Sequence, residues 1–280
     1  MNRLLNRIKF TANIVRTGAD FASKLVFLRE AVRAQVNSYL RRAPQPFHVH
    51  VGTRRGSAAI RCRGTLDELH ALIEIFVDKE YEVACPAPVK VILDLGANSG
   101  LASTWFALRF PGAKIHAYEP DPVVFKYLED NLRQFSNARA VNAAISGVEG
   151  VLDFYRSDRS FSSSLHPLVG ASVIRVRSMT LDQAIASAGG DVDIVKMDIE
   201  GAEFSAIEMS TSVACVKAIV GEVHPAKGQR LVEDLVASLA RTHSVRANGQ
   251  KDKKCLFWAT RAQPCLPGLE LSPAGAPSVP

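Results

Sequence analysis

The sequence predicts an α/β fold, an open, mostly parallel, doubly wound sheet with helices on both faces and an N-terminal helical extension. Three observations carry this expectation. From Lys90 onward, apolar runs of strand length alternate with segments of helical period. "VILDLGANSG" (91–100) ends one such run at an aspartate and a Gly-xxx-Gly turn. "DIVKMDIE" (193–200) and "VKAIVGEVHP" (216–225) are mostly apolar, as strands covered on both faces must be, yet charged residues interrupt them toward their carboxyl ends.

The elements follow in order. Over residues 1–45, Leu5, Ile8, Ile14, Phe21, Leu25, Leu28 and Val32 recur at near-helical spacing between basic residues, which predicts one or two amphipathic helices. The preferred reading is that they pack on the body or on a second subunit; the alternative is peripheral contact with an anionic membrane surface. Residues 46–85 form an α/β lead-in. "FHVHV" and "SAAIRC" read as short strands around "GTRRGS", and "TLDELHALIEIF" as a helix with a Thr65–Glu68 capping box. The main domain spans 86–262. Strands are expected over Lys90–Leu95, Lys114–Glu119, Ala138–Ile145, Asp193–Ile199 and Val216–Val223. Helices are expected over Ser99–Phe110, Pro122–Phe135, Leu181–Ala188, Ala202–Met209 and Gly228–Arg241. "VLDFYRS" and "SVIRVRS" suggest an antiparallel excursion, and "HSVRA" with "CLFWAT" a closing hairpin. Residues 263–280, rich in Pro, Gly, Ser and Ala, read as a disordered tail.

Composition narrows the function classes. The net charge is +6, but residues 1–45 hold nine Lys/Arg against two acids, so the remaining chain is net −1. A neutral body without aromatic-basic interleaving is not that of a nucleic-acid binder. Five scattered cysteines without a CxxC give no zinc site or disulfide framework and suggest ordinary thiols. No apolar run reaches the ~18 residues of a membrane span, and no export signal is evident, so a cytoplasmic location is expected.

A strand that ends in a glycine turn and opens a helix aims backbone N–H groups above the sheet. Glu119 ends the next strand, 23 residues beyond Gly96, where an acid accepts hydrogen bonds from ribose hydroxyls. The ligand is therefore expected to contain a nucleoside. No Gly-Lys-Ser/Thr follows for a P-loop, and Asn98 and Leu101 stand where a dinucleotide fingerprint needs glycine. S-adenosylmethionine, a nucleoside without phosphate, fits better.

At this point the chain resembles a known family. "VILDLGANSGLAST", "AYEPD", "DIVKMDIEGAEFSAIE" and "GEVHP" are similar to the FkbM family of S-adenosylmethionine-dependent methyltransferases, and "RCRGTLDELHALIEIFVDKEY" is similar to its lead-in. The resemblance covers about 46–262. It implies the seven-stranded methyltransferase sheet and methyl transfer, usually to a hydroxyl oxygen of a sugar, polysaccharide or secondary metabolite. It further implies that the turn Gly96, Ala97, Asn98, Ser99 and Gly100 cradles the methionine part above Asp94. Glu119 would hold the ribose, and Asn142 or Ala143 would neighbour the adenine. The polar loop 157–165 would lie near the site mouth.

The charged strand ends supply the chemistry. Lys196 and Asp198 share one face of their strand, and Glu222 and His224 share one face of the next. The expectation is that Lys196 lies near Glu222 and Asp198 near His224. His224, oriented by Asp198, would take the acceptor's proton, supported by Glu200 and Lys196. Alternatively Asp198, Glu222 and His224 would hold a divalent ion that lowers the hydroxyl's pKa. Glu203 has a simpler explanation as an acid at a helix N-terminus. Two rivals are a nucleotide-binding oxidoreductase on a related sheet and a non-catalytic scaffold docked through its basic arm.

Overall fold

The computed structural model describes residues 2–40, 42–85, 88–156, 171–224, 232–248 and 255–262. Loop 157–165 and the tail 263–280 lie outside the described residues, as does the start of the helix expected from Gly228.

The arm is two helices, α1 (Asn2–Thr17) and α2 (Phe21–Leu40). The hairpin β1 (Phe47–Thr53) and β2 (Gly56–Cys62) follows as expected. Thr65 caps α3 (Leu66–Ile73) by accepting from the Glu68 N–H, and the helix runs on as a π-turn over Glu74–Asp78. The capping box is not closed. The Glu68 carboxylate turns instead to the N–H groups of Arg63 and Gly64.

The main domain alternates as the sequence predicts: β3 (Val91–Leu95), α4 (Leu101–Arg109), β4 (Lys114–Tyr118), α5 (Pro122–Leu132) and β5 (Ala138–Val141). After β6 (Ala144–Ser146), β7 (Gly150–Arg156) and β8 (Ser172–Thr180) come α6 (Leu181–Ser187), β9 (Ile194–Met197), α7 (Glu203–Glu208) and β10 (Ala218–Val223). The chain closes with α8 (Val232–Leu239), β11 (His243–Asn248) and β12 (Cys255–Arg261). The main sheet has seven strands in the order β11-β12-β10-β9-β3-β4-β5. Its five central and edge strands from β10 to β5 are parallel, and β12 is antiparallel. Asp121 caps α5 with Pro122 in its first turn.

One strand differs from expectation. Ala138–Ile145 is not continuous: β5 ends at Val141, and β6 joins β8 and β7 in a separate three-stranded sheet. The Asn142 amide donates to the carbonyls of Glu119 (2.7 Å) and Pro120 (3.0 Å), which turns the chain out of the ladder.

The period of two along the strands divides the core. Ile92, Ile194, Ala218 and Val220 face the layer of α1–α4, against Leu69, Leu72 and Phe106. Leu93, Leu95, Val195, Met197 and Ile219 face the opposite layer of α6–α8.

The arm helices pack on the body, through only part of the apolar set that announces them. The body is covered by Phe10, Ile14, Phe27, Ala31 and Ala34, whereas Ile8, Phe21, Leu25, Leu28 and Val32 are exposed. Period alone shows that α2 has apolar stripes, not which of them turns inward. No helix among the described residues is long and apolar enough to cross a membrane. Cys62, Cys85 and Cys255 are free, but Cys215 is disulfide-bonded, so the thiols are not all ordinary. Spatial approach decides such a pairing, and sequence spacing does not reveal it.

Candidate active site

Connections from β3 run to β4 and β5 on one side, and β9 and β10 lie on the other. The order therefore reverses between β3 and β9, and ligands of open α/β sheets bind beyond the carboxyl ends there. The expected site residues converge on this edge.

Gly96 and Gly100 have φ of +74° and +86°, and Asn98, at +51°, is one of the few side chains that tolerate that region. A Cβ on Gly96 would lie 1.8 Å from the Asp198 carbonyl oxygen, so only glycine lets the β3 and β9 ends meet. Gly100 serves packing instead, since a Cβ there would reach the Leu128 side chain at 2.9 Å. Ser99 is buried and donates to Glu68 (2.7 Å). The Asn98 side-chain oxygen accepts from Arg63 (2.7 Å), and its backbone N–H donates to Glu119 (2.9 Å).

Glu119 is buried and accepts a second N–H from Asp121 (2.9 Å). Burial raises its pKa to about 7 despite those hydrogen bonds. It lines a cavity with Gly96, Asn98, Pro120, Val124, Ala143, Ile145, Asp198 and Glu200. Ala143 lines this cavity, whereas Asn142 does not: it is exposed, and its amide donates to two backbone carbonyls.

Lys196 lies within reach of Glu222, but its nearest charged partner is another carboxylate. It stands directly opposite Asp94 in the β3–β9 register, and its Nζ is 3.2 Å from Asp94 Oδ1 and 3.8 Å from Asp198 Oδ2. Across β10 its register partner is Val220, which is why the expected contact with Glu222 is not the primary one. Nζ also donates to the Gly96 carbonyl (2.8 Å), bracing the glycine turn from beneath. Burial opposes its charge, but Asp94, Asp198 and Glu222 outweigh it and raise its pKa above the ordinary lysine value. Asp94 is fully buried, accepts from Ser103, and does not line the cavity.

Four carboxylates surround His224. Its Nδ1 is 3.3 Å from Glu203 and 3.8 Å from Asp198; its Nε2 is 3.6 Å from Glu222 and 3.9 Å from Glu200. Burial disfavours the imidazolium, but the Glu203 hydrogen bond with Asp198 and Glu200 carries its pKa to about 10. Burial and Asp198 push Glu200 to about 8. Asp198 Oδ1 is buried without a hydrogen-bond partner among the described residues. Asp198, Glu200 and His224 each offer a ligand atom within 4.8 Å of the others, a set fit for a divalent ion; Glu222 groups instead with Glu74 and Glu80. A second cavity of about 400 Å³ lies beside the first and shares Gly96, Asn98, Asp198 and Glu200 with it. Tyr81, Lys196, Glu222 and His224 line it, with Asp67, His70 and Glu74 from the lead-in.

A model of the FkbM methyltransferase domain matches residues 94–248, more than half of the chain. The chain belongs to the FkbM methyltransferase family. The seven-stranded sheet is the fold the resemblance implied, and S-adenosylmethionine is the cofactor of this family. The FkbM protein of Streptomyces tacrolimicus, a 31-O-demethyl-FK506 methyltransferase, is 30% identical over 154 residues, 53% of this chain and 57% of its own length. The 2-O-methyltransferase NoeI of Sinorhizobium fredii is 28% identical over 138 residues, 43% of this chain and 57% of its own. The antimetabolite synthetase AmbE of Pseudomonas aeruginosa is 27% identical over 226 residues, 64% of this chain but 11% of its own. The chain thus spans a little over half of the two methyltransferases and a small part of the synthetase.

Three residues of this FkbM site escaped the sequence reading. Tyr81 donates to Glu222 (2.9 Å) and lies 3.4 Å from Asp198. Glu68 and Arg63 hold Ser99 and Asn98 from the lead-in side. All three lie in the lead-in stretch 61–81, where Glu68 reads only as a helix cap, and each contact crosses at least 31 residues of chain. Glu203 is more than an acid placed for a helix dipole: it is fully buried and accepts from the N–H groups of Ile199 and Gly201 while facing His224.

Proposed function

We propose that this protein transfers the methyl group of S-adenosylmethionine to a hydroxyl oxygen of a small molecule of the sugar or secondary-metabolite class. The observation that carries the reading is the pair of adjoining cavities, one around Glu119 and one around Asp198 and His224, meeting at Gly96 and Asp198. The printed activities of the FkbM and NoeI relatives, both O-methyl transfers, support oxygen as the acceptor atom.

The residues fit the cofactor. Pro120, Val124, Ala143 and Ile145 offer an apolar slot for a purine. Glu119 has lone pairs left for two hydroxyls after accepting two N–H bonds. Asp198 faces the same cavity and suits a sulfonium's positive charge. When bound, the cofactor supplies an activated methyl carbon. The protein then has to orient the hydroxyl and take its proton. His224, with a pKa of about 10, is already an imidazolium at neutral pH. In this reading the roles expected from the sequence are exchanged: Asp198 Oδ1, which accepts no hydrogen bond among the described residues and faces His224 Nδ1 at 3.8 Å, accepts the hydroxyl's proton, and His224 holds the carboxylate cluster in place.

Glu119 gives the direct test. Its raised pKa means that the cofactor-free fold retains a proton that the unfolded chain releases. This contribution is full below pH ~4.5 and is lost as pH rises through about 7. Ribose hydroxyls need the ionised form. Calorimetric titration with S-adenosylhomocysteine should therefore show affinity rising between pH 6 and 8, with proton release on binding. Glu119→Gln should weaken binding by about 10- to 100-fold, the worth of hydrogen bonds to a charged group, and flatten the pH dependence. Unchanged affinity in that variant would remove Glu119 from the ribose site.

A further inference from the structure

We propose that the outward face of the α1–α2 arm docks this protein on an anionic phospholipid surface. The helix α2 is apolar on two opposite faces. One, with Phe27, Ala31 and Ala34, is buried against the body. The other carries Phe21, Leu25, Leu28, Val32, Val36 and Tyr39, spaced by three or four residues, and these are between 42% and 81% exposed. A helix needs only one apolar face to cover a core, so the second has another use. The inward turn of α1 completes it: Ile8 and Val15 line one open apolar groove together with Leu28, Val32, Val36 and Leu40.

Charge selects the occupant. At 100° per residue, Lys24 flanks the exposed stripe on one side and Arg29 and Arg33 on the other. Glu30, the one acid of α2, is buried and pairs with Arg29 and Arg33 from the inner side, leaving the helix net positive. Residues 1–45 are net +7 on a body of −1. A second copy seated on this face would set +7 against +7. A surface of anionic headgroups over acyl chains matches both the apolar stripe and its basic borders. The arm also touches the site: the Phe10 and His70 rings are 4.6 Å apart, and His70 lines the cavity beside Asp198 and His224. A docked arm therefore holds that cavity one helix away from the lipid.

The test is co-sedimentation of the full chain with vesicles of phosphatidylcholine alone and of equal parts phosphatidylcholine and phosphatidylglycerol. Binding is expected to the anionic vesicles only, and to weaken at least about tenfold in 0.5 M salt. Val32→Glu/Val36→Glu and Lys24→Glu should each reduce partitioning by about tenfold or more. These side chains are exposed, so circular dichroism should show both variants folded. Absence of wild-type binding to anionic vesicles overturns the proposal, as does equal binding by the folded Val32→Glu/Val36→Glu variant. Sedimentation equilibrium gives a further overturning result: a wild-type dimer that ignores vesicles and becomes a monomer in Val32→Glu/Val36→Glu assigns the face to self-association.

Discussion

Replacing Lys196 by methionine should lower the unfolding free energy by about 3–5 kcal/mol, the cost of stranding a buried charge. Asp94 is fully buried, and its Oδ1 faces the Lys196 ammonium at 3.2 Å. Methionine preserves most of the side-chain volume, so the loss is electrostatic rather than a cavity. The same change removes the donor to the Gly96 carbonyl, and with it the brace beneath the glycine turn. Chemical denaturation would read the loss, and a double-mutant cycle with Asp94→Asn would locate it. The amide that Asp94→Asn introduces keeps an acceptor for Ser103 and needs no cation, so the double variant should be more stable than the two single losses predict, by ~0.5–3 kcal/mol. The pKa of Lys196 is raised above its unfolded value, so its contribution is full below about pH 10 and constant between pH 6 and 9. Additive single losses would mean that Lys196 packs there without sustaining Asp94.

This pair also shows where the sequence stops being legible. Asp94, Lys196, Asp198, Glu222 and His224 are visible as charges that break apolar strands, and period two fixes which of them share a face. That was enough to bring them to one edge of one sheet. It did not fix their partners, because partners follow from register. Lys196 is opposite Asp94 on one side and Val220 on the other, and nothing within "DIVKMDIE" records that. The β3 and β4 ends were legible because a positive-φ glycine and an acid are demanded by local geometry. The place of the Asn142 side chain was not legible for the opposite reason: no local geometry demands an acceptor for its amide, and in the fold it donates to two nearby carbonyls. Tyr81, Arg63 and Glu68 reach the site from a lead-in whose sequence announces only a hairpin and a helix. The arm divides the same way: its helical period was plain, but its inward face was set by the body it packs on.

Asp198→Asn should reduce the rate of methyl transfer by about 10²- to 10⁴-fold, the usual worth of a positioned proton acceptor, and leave S-adenosylhomocysteine affinity nearly unchanged. The asparagine is isosteric, and the backbone carbonyl of residue 198, against which Gly96 is packed, stays in place. The thioether of that ligand carries no charge for the carboxylate to attract. S-adenosylmethionine does, so its affinity should fall modestly in the same variant, and the difference between the two ligands reports the sulfonium's neighbour. The alternative proton acceptor is His224, and pH separates them. A histidine with a pKa of about 10 would have to lose its own proton first, so a rate that depends on it climbs about tenfold per pH unit between 7 and 9. The inflection expected near pH 8 belongs to Glu200 and should vanish in Glu200→Gln. Steady-state rates of the wild type, Asp198→Asn and Glu200→Gln across that range decide the matter. A tenfold climb per unit, or an Asp198→Asn enzyme at full rate, returns the proton-accepting role to His224 and leaves Asp198 as the carboxylate that orients it.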